Sequence, residues 1–337
     1  LIPRSFAERN DPTYPAADAP FPSARLRRKD ATVKPSHDAM PVEPQPAVER
    51  PAPPPTTLAV PHVVAIGGSY PGRNGGTPAC LTMGMVHTFA GATSVYGAPL
   101  AQGQLLPVIG HQPLFSIFSV SFGTNGDSEF GIPALHGRTM VGGSLFDGPT
   151  PTTQPMNWII AQAPPPGADG PLVGSLAAFG GIFVPDGWLP CDGSALPIGG
   201  NVALYEVIGN AFGGQNPYFV LPNLNGMALY GAGPSTAVGS AVAGPPGGLC
   251  FNYIVNVASA LPPTSGDGGF PTNQYWLGQV IAYAGGQVPP GWALADGSLL
   301  DIAQYPDLFD LFGHMYGGNG TTNFGLPDLR GRMLTGV

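Results

Sequence analysis

Short apolar runs, punctuated by glycine and proline, recur three times along the chain in the same order. The most regular copy spans residues 275–337. It runs Gly278-Gln279-Val280-Ile281-Ala282-Tyr283-Ala284-Gly285, then Gly291-Trp292-Ala293-Leu294-Ala295-Asp296-Gly297. Leu308-Phe309-Asp310-Leu311-Phe312-Gly313, Tyr316-Gly317-Gly318 and Phe324-Gly325-Leu326-Pro327-Asp328-Leu329-Arg330-Gly331-Arg332 follow. The middle copy, 171–233, keeps Gly174-Ser175-Leu176, Gly187-Trp188-Leu189-Pro190-Cys191-Asp192-Gly193, Leu204-Tyr205-Glu206-Val207-Ile208-Gly209 and Phe219-Val220-Leu221-Pro222-Asn223-Leu224. The first copy, 80–143, is eroded: Gly84-Met85-Val86, Leu114-Phe115-Ser116-Ile117-Phe118 and Phe130-Gly131-Ile132-Pro133-Ala134-Leu135-His136-Gly137-Arg138. Such a pattern predicts, per copy, a strand, a turn, a second strand, one short helix, a glycine loop and a final strand.

The helix carries the clearest local signals. In the third copy Pro306 suits a first turn, Leu308, Phe309, Leu311 and Phe312 form an apolar stripe, and Gly313 stands where a left-handed cap belongs. In the second copy Asn201 is the expected N-cap before Leu204, Val207 and Ile208. Asp192-Gly193 and Asp296-Gly297 read as hairpin turns. The predicted fold class is therefore mostly β with short helices, as tandem α+β repeats.

Around the repeats lie a proline-rich N-terminal arm and lead-in, 1–79, and two linkers, 144–170 and 234–274. Inside the second linker the alternating run from Cys250 to Val257 reads as an extra strand. Equivalent prolines fall at Pro133, Pro222 and Pro327, an unequal spacing that predicts small linked domains rather than a regular solenoid.

The combination of Gly-Trp before Asp-Gly, the Leu-Phe helix, Tyr-Gly-Gly and Phe-x-Leu-Pro-Asp-Leu-Arg-Gly-Arg resembles the phage tail collar domain of tail-fibre proteins. The resemblance implies three small collar-like domains, the first divergent, with a structural or attachment role and no reaction. Collar-like domains associate as trimers, so three copies in one chain are expected to build a pseudo-trimer. The first copy departs most, with Ala98 and Gln102 standing for the Trp and Asp of the motif. Some collar proteins hold a metal on the trimer axis through a His-x-His pair. None of the six histidines here makes such a pair, and no metal or cofactor is expected.

Composition narrows the class. Only 9% of residues are charged while Gly (51) and Pro (42) are abundant, yet 43% are hydrophobic, which suits a turn-rich folded protein rather than a disordered one. An extracellular or virion structural protein fits this better than a cytosolic enzyme. The net charge is −8, and residues 61–337 hold four Lys/Arg against thirteen Asp/Glu, a poor surface for nucleic acid. No apolar run reaches the roughly twenty residues that span a bilayer. The chain begins at Leu1, as it would after loss of a signal peptide.

Residues 1–60 contain thirteen prolines, so extended or polyproline-II structure is expected, stabilised by docking on a surface. Phe6, Tyr14, Phe21 and Leu26 are the expected anchors, and Arg25, Arg27, Arg28 and Lys29 complement the acidic body. Docking on a neighbouring copy would make the chain its own partner in a homo-oligomer or filament. A cell-surface glycan or receptor is the alternative partner, with Trp188 or Trp292 at a recognition tip. Core packing is the commoner use of such rings, so Trp188, Leu204, Trp292, Leu308, Phe309 and Phe312 are assigned to the repeat cores.

No catalytic residues are predicted. Asp192, Asp296 and Asp328 are tempting carboxylates but sit in turn motifs, with Arg330 and Arg332 placed to clamp the last strand. Cys80, Cys191 and Cys250 allow either one disulfide and a thiol or three buried thiols. Thr56 and Thr57, beside prolines, and the sequon at Asn319 are glycosylation candidates.

Overall fold

The computed structural model describes residues 57–72, 79–91, 95–162, 170–263 and 274–337. The arm anchors Phe6 to Lys29, and Thr56, lie outside them.

In chain order the elements are β1 (Thr57–Val60), β2 (His62–Val64), β3 (Met85–Phe89), β4 (Leu105–Pro107), α1 (Gln112–Phe118), β5 (Glu129–Gly131) and β6 (Thr139–Gly142). Next come β7 (Thr153–Ala161), β8 (Ser175–Phe179), β9 (Trp188–Pro190), β10 (Ala195–Pro197), α2 (Val202–Ile208), β11 (Tyr218–Val220), β12 (Ala228–Gly231) and β13 (Ala241–Val242). The last are β14 (Gly248–Asn256), β15 (Gln279–Tyr283), β16 (Trp292–Leu294), β17 (Leu299–Asp301), α3 (Pro306–Phe312), β18 (Asn323–Gly325) and β19 (Met333–Gly336). The architecture is mostly β with three short α-helices, one per repeat.

The three repeats form a pseudo-threefold ring. Their first strands, β3, β8 and β15, hydrogen-bond one another in a closed antiparallel triangle, with Met85 opposite Phe179, Leu176 opposite Ala282, and Gln279 opposite Phe89. The ring expected of a pseudo-trimer is thus closed by backbone pairing. Each strand spends one end on each neighbour, so none can complete its ladder alone.

Three junction strands tie the repeats together. β7 lies parallel to β6 (Thr139 opposite Thr153) and then antiparallel to β8 of the next repeat. β14 does the same between β12 and β15. The β1–β2 strand does it between β19 (Thr57 opposite Met333) and β3 (His62 opposite Thr88). The supposed linkers therefore contain strands of the ring. One of them, β14, coincides with the alternating run read from the sequence; β7 had no such reading. One hydrophobic cluster runs through all three repeats, from Leu114 and Phe130 to Leu204 and Phe219 to Leu308 and Phe324.

Close approach at each junction requires glycine. A Cβ on Gly142, Gly231 or Gly336 would collide with the carbonyl of Leu224, Leu329 or Leu135 of the following repeat. There the peptides exchange bonds cyclically: Gly226 N–H to Gly142 O (2.8 Å), Gly331 N–H to Gly231 O (2.8 Å) and Gly137 N–H to Gly336 O (2.9 Å).

Three local expectations change. Gly313 (φ 54°, ψ −131°) and Gly209 (φ 52°, ψ −133°) end their helices at positive φ, but with ψ of opposite sign to a left-handed helical cap. Asn201 occupies the N-cap position without capping. Its Oδ1 accepts from Gln162 Nε2 (2.7 Å) and its Nδ2 donates to Pro197 O (3.0 Å), so its amide ties α2 to the junction strand's end instead. Asp192-Gly193 and Asp296-Gly297 are corners rather than hairpins. β9 and β16 pair with β7 and β14, while β10 and β17 pair with β11 and β18. At the corner only the glycine takes positive φ (82° and 79°), and the aspartate Oδ1 accepts the amide of Ser194 or Ser298.

In the first repeat Ser119 takes the helix-end conformation (φ 48°, ψ −128°) that glycine supplies in the other two. Its side chain is exposed, so nothing is lost by removing it. Ser119→Gly should stabilise the protein by about 1 kcal/mol, and Gly313→Ala should destabilise it by about 1–3 kcal/mol. Urea unfolding midpoints at constant slope check both.

Candidate functional site

The ring carries two kinds of concavity. The first are clefts at the junctions. The cleft between repeats two and three holds about 530 Å³ and is lined by Asn252, Tyr253, Leu294, Asp296 and Arg330. Its counterpart between repeats one and two holds about 170 Å³, with Asn157, Trp158, Pro190, Asp192 and Asn225 in the corresponding places. The two sets correspond through the register that places Ile159 opposite Pro190 and Ile254 opposite Leu294.

Charge distinguishes the larger cleft. Arg330 grips Asp328 in a two-pronged ion pair, Nε to Oδ1 at 2.9 Å and Nη2 to Oδ2 at 2.8 Å. The guanidinium hydrogen bond holds the Asp328 carboxyl below its ordinary range. Arg332 donates to Asp328 O (3.2 Å), and Arg138 likewise to Ala134 O (2.9 Å), so these arginines clamp the turn before the closing strand. Asp296 adds a second carboxylate close enough to favour the Arg330 charge. The arrangement offers hydrogen-bond acceptors and one cation on an open wall. It pairs no nucleophile with a base, and the described residues contain no metal-ligating cluster.

The second concavity is a cavity of about 50 Å³ near the centre of the ring, lined by His87, Trp158, Trp188, Ser175, Tyr275 and Gln279 among others. Trp276 N–H donates to Gln279 Oε1 (3.1 Å), which turns the Gln279 amide nitrogen toward His87 Nδ1 (3.1 Å). Nδ1 therefore accepts, and the neutral ring carries its proton on Nε2. Tyr275 Oη accepts from Leu172 N–H (2.9 Å), joining the third repeat to the second, and its ring meets Trp292 edge-on at 4.9 Å.

The core residues assigned from sequence fall as follows. Trp188, Leu204, Leu308 and Phe312 are buried, whereas Phe309 and Trp292 are only partly buried. Phe309 packs on Phe324, as Tyr205 does on Phe219 and Phe115 on Phe130. Sequence reading passed over Trp158 and Trp276, both in the core; Trp158 sits in the unnoticed strand β7. Cys80, Cys191 and Cys250 are buried and no disulfide joins them, and burial raises the Cys191 thiol. Thr57 opens β1, and Asn319 is exposed with its Oδ1 accepting from Thr321, Thr322 and Asn323 amides.

The phage tail collar domain matches the chain at residues 84–140, 174–229 and 278–334. With half of its length matched, the chain belongs to the phage tail collar domain family. It is a structural protein of the tail-fibre type, from a family that is structural rather than enzymatic. Comparison with curated proteins and with solved structures gave no match.

Two tests follow from burial. Trp188→Ala should cost about 3–5 kcal/mol and Trp292→Ala clearly less, read from unfolding curves. His62 and His87 are both buried, and burial lowers each from 6.5 to about 4. A depressed histidine favours the fold fully above the unfolded value of 6.5. Stability should fall as pH drops from about 6.5 towards 4 and level off below, by up to about 3 kcal/mol per ring. His87→Gln should remove about half of that fall in urea titrations.

Proposed function

We propose that this chain is a structural subunit of an extracellular or virion fibre, assembled head-to-tail through its proline-rich N-terminal arm. One observation carries the reading. The strand that closes the ring against β19 is β1, which directly follows the arm in sequence. The body supplies the complementary charge, since thirteen Asp/Glu against four Lys/Arg follow residue 60, while the arm holds Arg25, Arg27, Arg28 and Lys29. A head-to-tail contact of this kind does not close on itself and propagates.

A second reading, attachment to a cell-surface glycan or receptor, is favoured by the larger junction cleft with Asp296 and Arg330 on its wall. Hydroxyl-rich ligands suit such a mixture of acceptors and a cation.

The strand β1 begins at Thr57, so a clean arm deletion removes residues 1–56 and no more. The deletion should abolish polymers in negative-stain images while leaving the unfolding midpoint of the body unchanged. Polymers of normal length from the truncated chain would refute the arm's role.

A further inference from the structure

The three junctions are alike in backbone pairing and unequal in what holds them. β7 and β14 are each joined to the closing strand they pair with, β6 and β12, through a short connection. The β1–β2 strand is separated from β19 by the whole body, and its direct connection runs to the other wall of the slot, β3. One side-chain tether present at the other two junctions is missing here. Register aligns Pro61 with Asn157 and Asn252. Those two amides fasten their strands by donating to Gly181 O (2.6 Å) and Gly285 O (2.8 Å). Proline has no such donor. At the neighbouring position Val63 faces Leu100 as Ile159 faces Pro190 and Ile254 faces Leu294, which sets Ala98 where the others carry Trp188 and Trp292.

What remains is a slot that reads backbone and apolar shape. Val64 N–H donates to Pro99 O (2.9 Å), Ala101 N–H to His62 O (2.8 Å), and Ala65 N–H to Met85 O (2.9 Å). Val60, Val63 and Val64 are all buried there. A segment from any copy of this chain satisfies the slot equally.

We propose that residues 57–64 are exchanged between copies, so that the strand of one molecule completes the ring of the next. This is strand addition to the gap between β19 and β3, with a second copy as the partner. It rests on the head-to-tail reading above and gives it a physical link. The chain that follows this strand would then connect the two bodies.

A cross-strand disulfide tests it in the full-length chain. Val64 and Val86 face each other across β2 and β3. They lie between the bonded positions set by Ala65 N–H to Met85 O and Phe89 N–H to Pro61 O, so they form a non-hydrogen-bonded pair. Such a pair has Cα atoms about 4.5 Å apart, within disulfide reach. The Val64→Cys, Val86→Cys double variant is assembled, oxidised and run on a denaturing gel without reductant, beside electron micrographs of the same sample. Exchange predicts a ladder of covalent multimers that collapses on reduction, with no ladder from either single variant. A quantitative intrachain bond, in polymer or in monomer, overturns the proposal. Polymer with intrachain bonds leaves the fibre reading standing, whereas covalent dimers without polymer keep the exchange and remove the fibre. The His62→Cys, Thr88→Cys pair, the next such position on the same strands, repeats the measurement where the first pair disturbs packing.

Discussion

Everything in the ring depends on three five-residue strands that hydrogen-bond to one another at its centre. β3, β8 and β15 each divide their edge between two neighbours, so removing one leaves the other two with unpaired peptide groups in the core. A collar repeat of some sixty residues is near the lower limit for burying a stable core by itself. Here the limit is avoided by sharing: the aromatic and aliphatic side chains of all three helices feed one cluster. Glycine at each junction lets the closing strand of one repeat touch the turn of the next. The small domains joined by linkers that the sequence suggested are therefore segments of a single folded body.

The backbone is close to threefold, and the side chains are not. Where the second repeat places Ile182 and Phe183 at its junction cleft, the third has Gly286, and the cleft grows from about 170 to about 530 Å³. The two-pronged Arg330–Asp328 pair corresponds in the second repeat to Asn225 and Asn223, where the Asn225 backbone N–H donates to Asn223 Oδ1. Differences of this sort cost little, because the ladder that defines the ring uses peptide groups and tolerates any side chain of suitable size. A chain with three fused copies can thus vary each junction separately, which a true homotrimer cannot do.

The repeats were legible because their turns require particular residues. Gly193 and Gly297 take positive φ, and the Leu-Phe stripes mark the only helical period. The ring contacts were not legible, since which strand pairs with which is long-range and leaves no periodicity in the chain. β7 was missed because Pro155 and the polar Thr153, Gln154 and Asn157 interrupt its apolar run. The structure buries Gln154 nonetheless, in a slot whose other edge is supplied by β6. The Asp-Gly corners were misread because a hairpin and a corner share the same local chemistry, and only the partners of the flanking strands separate them. Asn201 was misread likewise: position allowed a cap, and a competing amide on Gln162 took it.

The scarcity of charge follows from this construction and shapes how the body can associate. The Arg330–Asp328 contact is the salt bridge among the described residues, and the ring is otherwise held by peptide and side-chain hydrogen bonds and apolar contact. Such forces are little affected by Debye screening and need registered edges. A closed ring offers few edges. The junction where the chain returns to β19 is the place where an edge can appear without breaking a connection between repeats, because its strand arrives from the N-terminal side. Pro61 and Ala98 stand there in place of the amide and indole found at the other junctions.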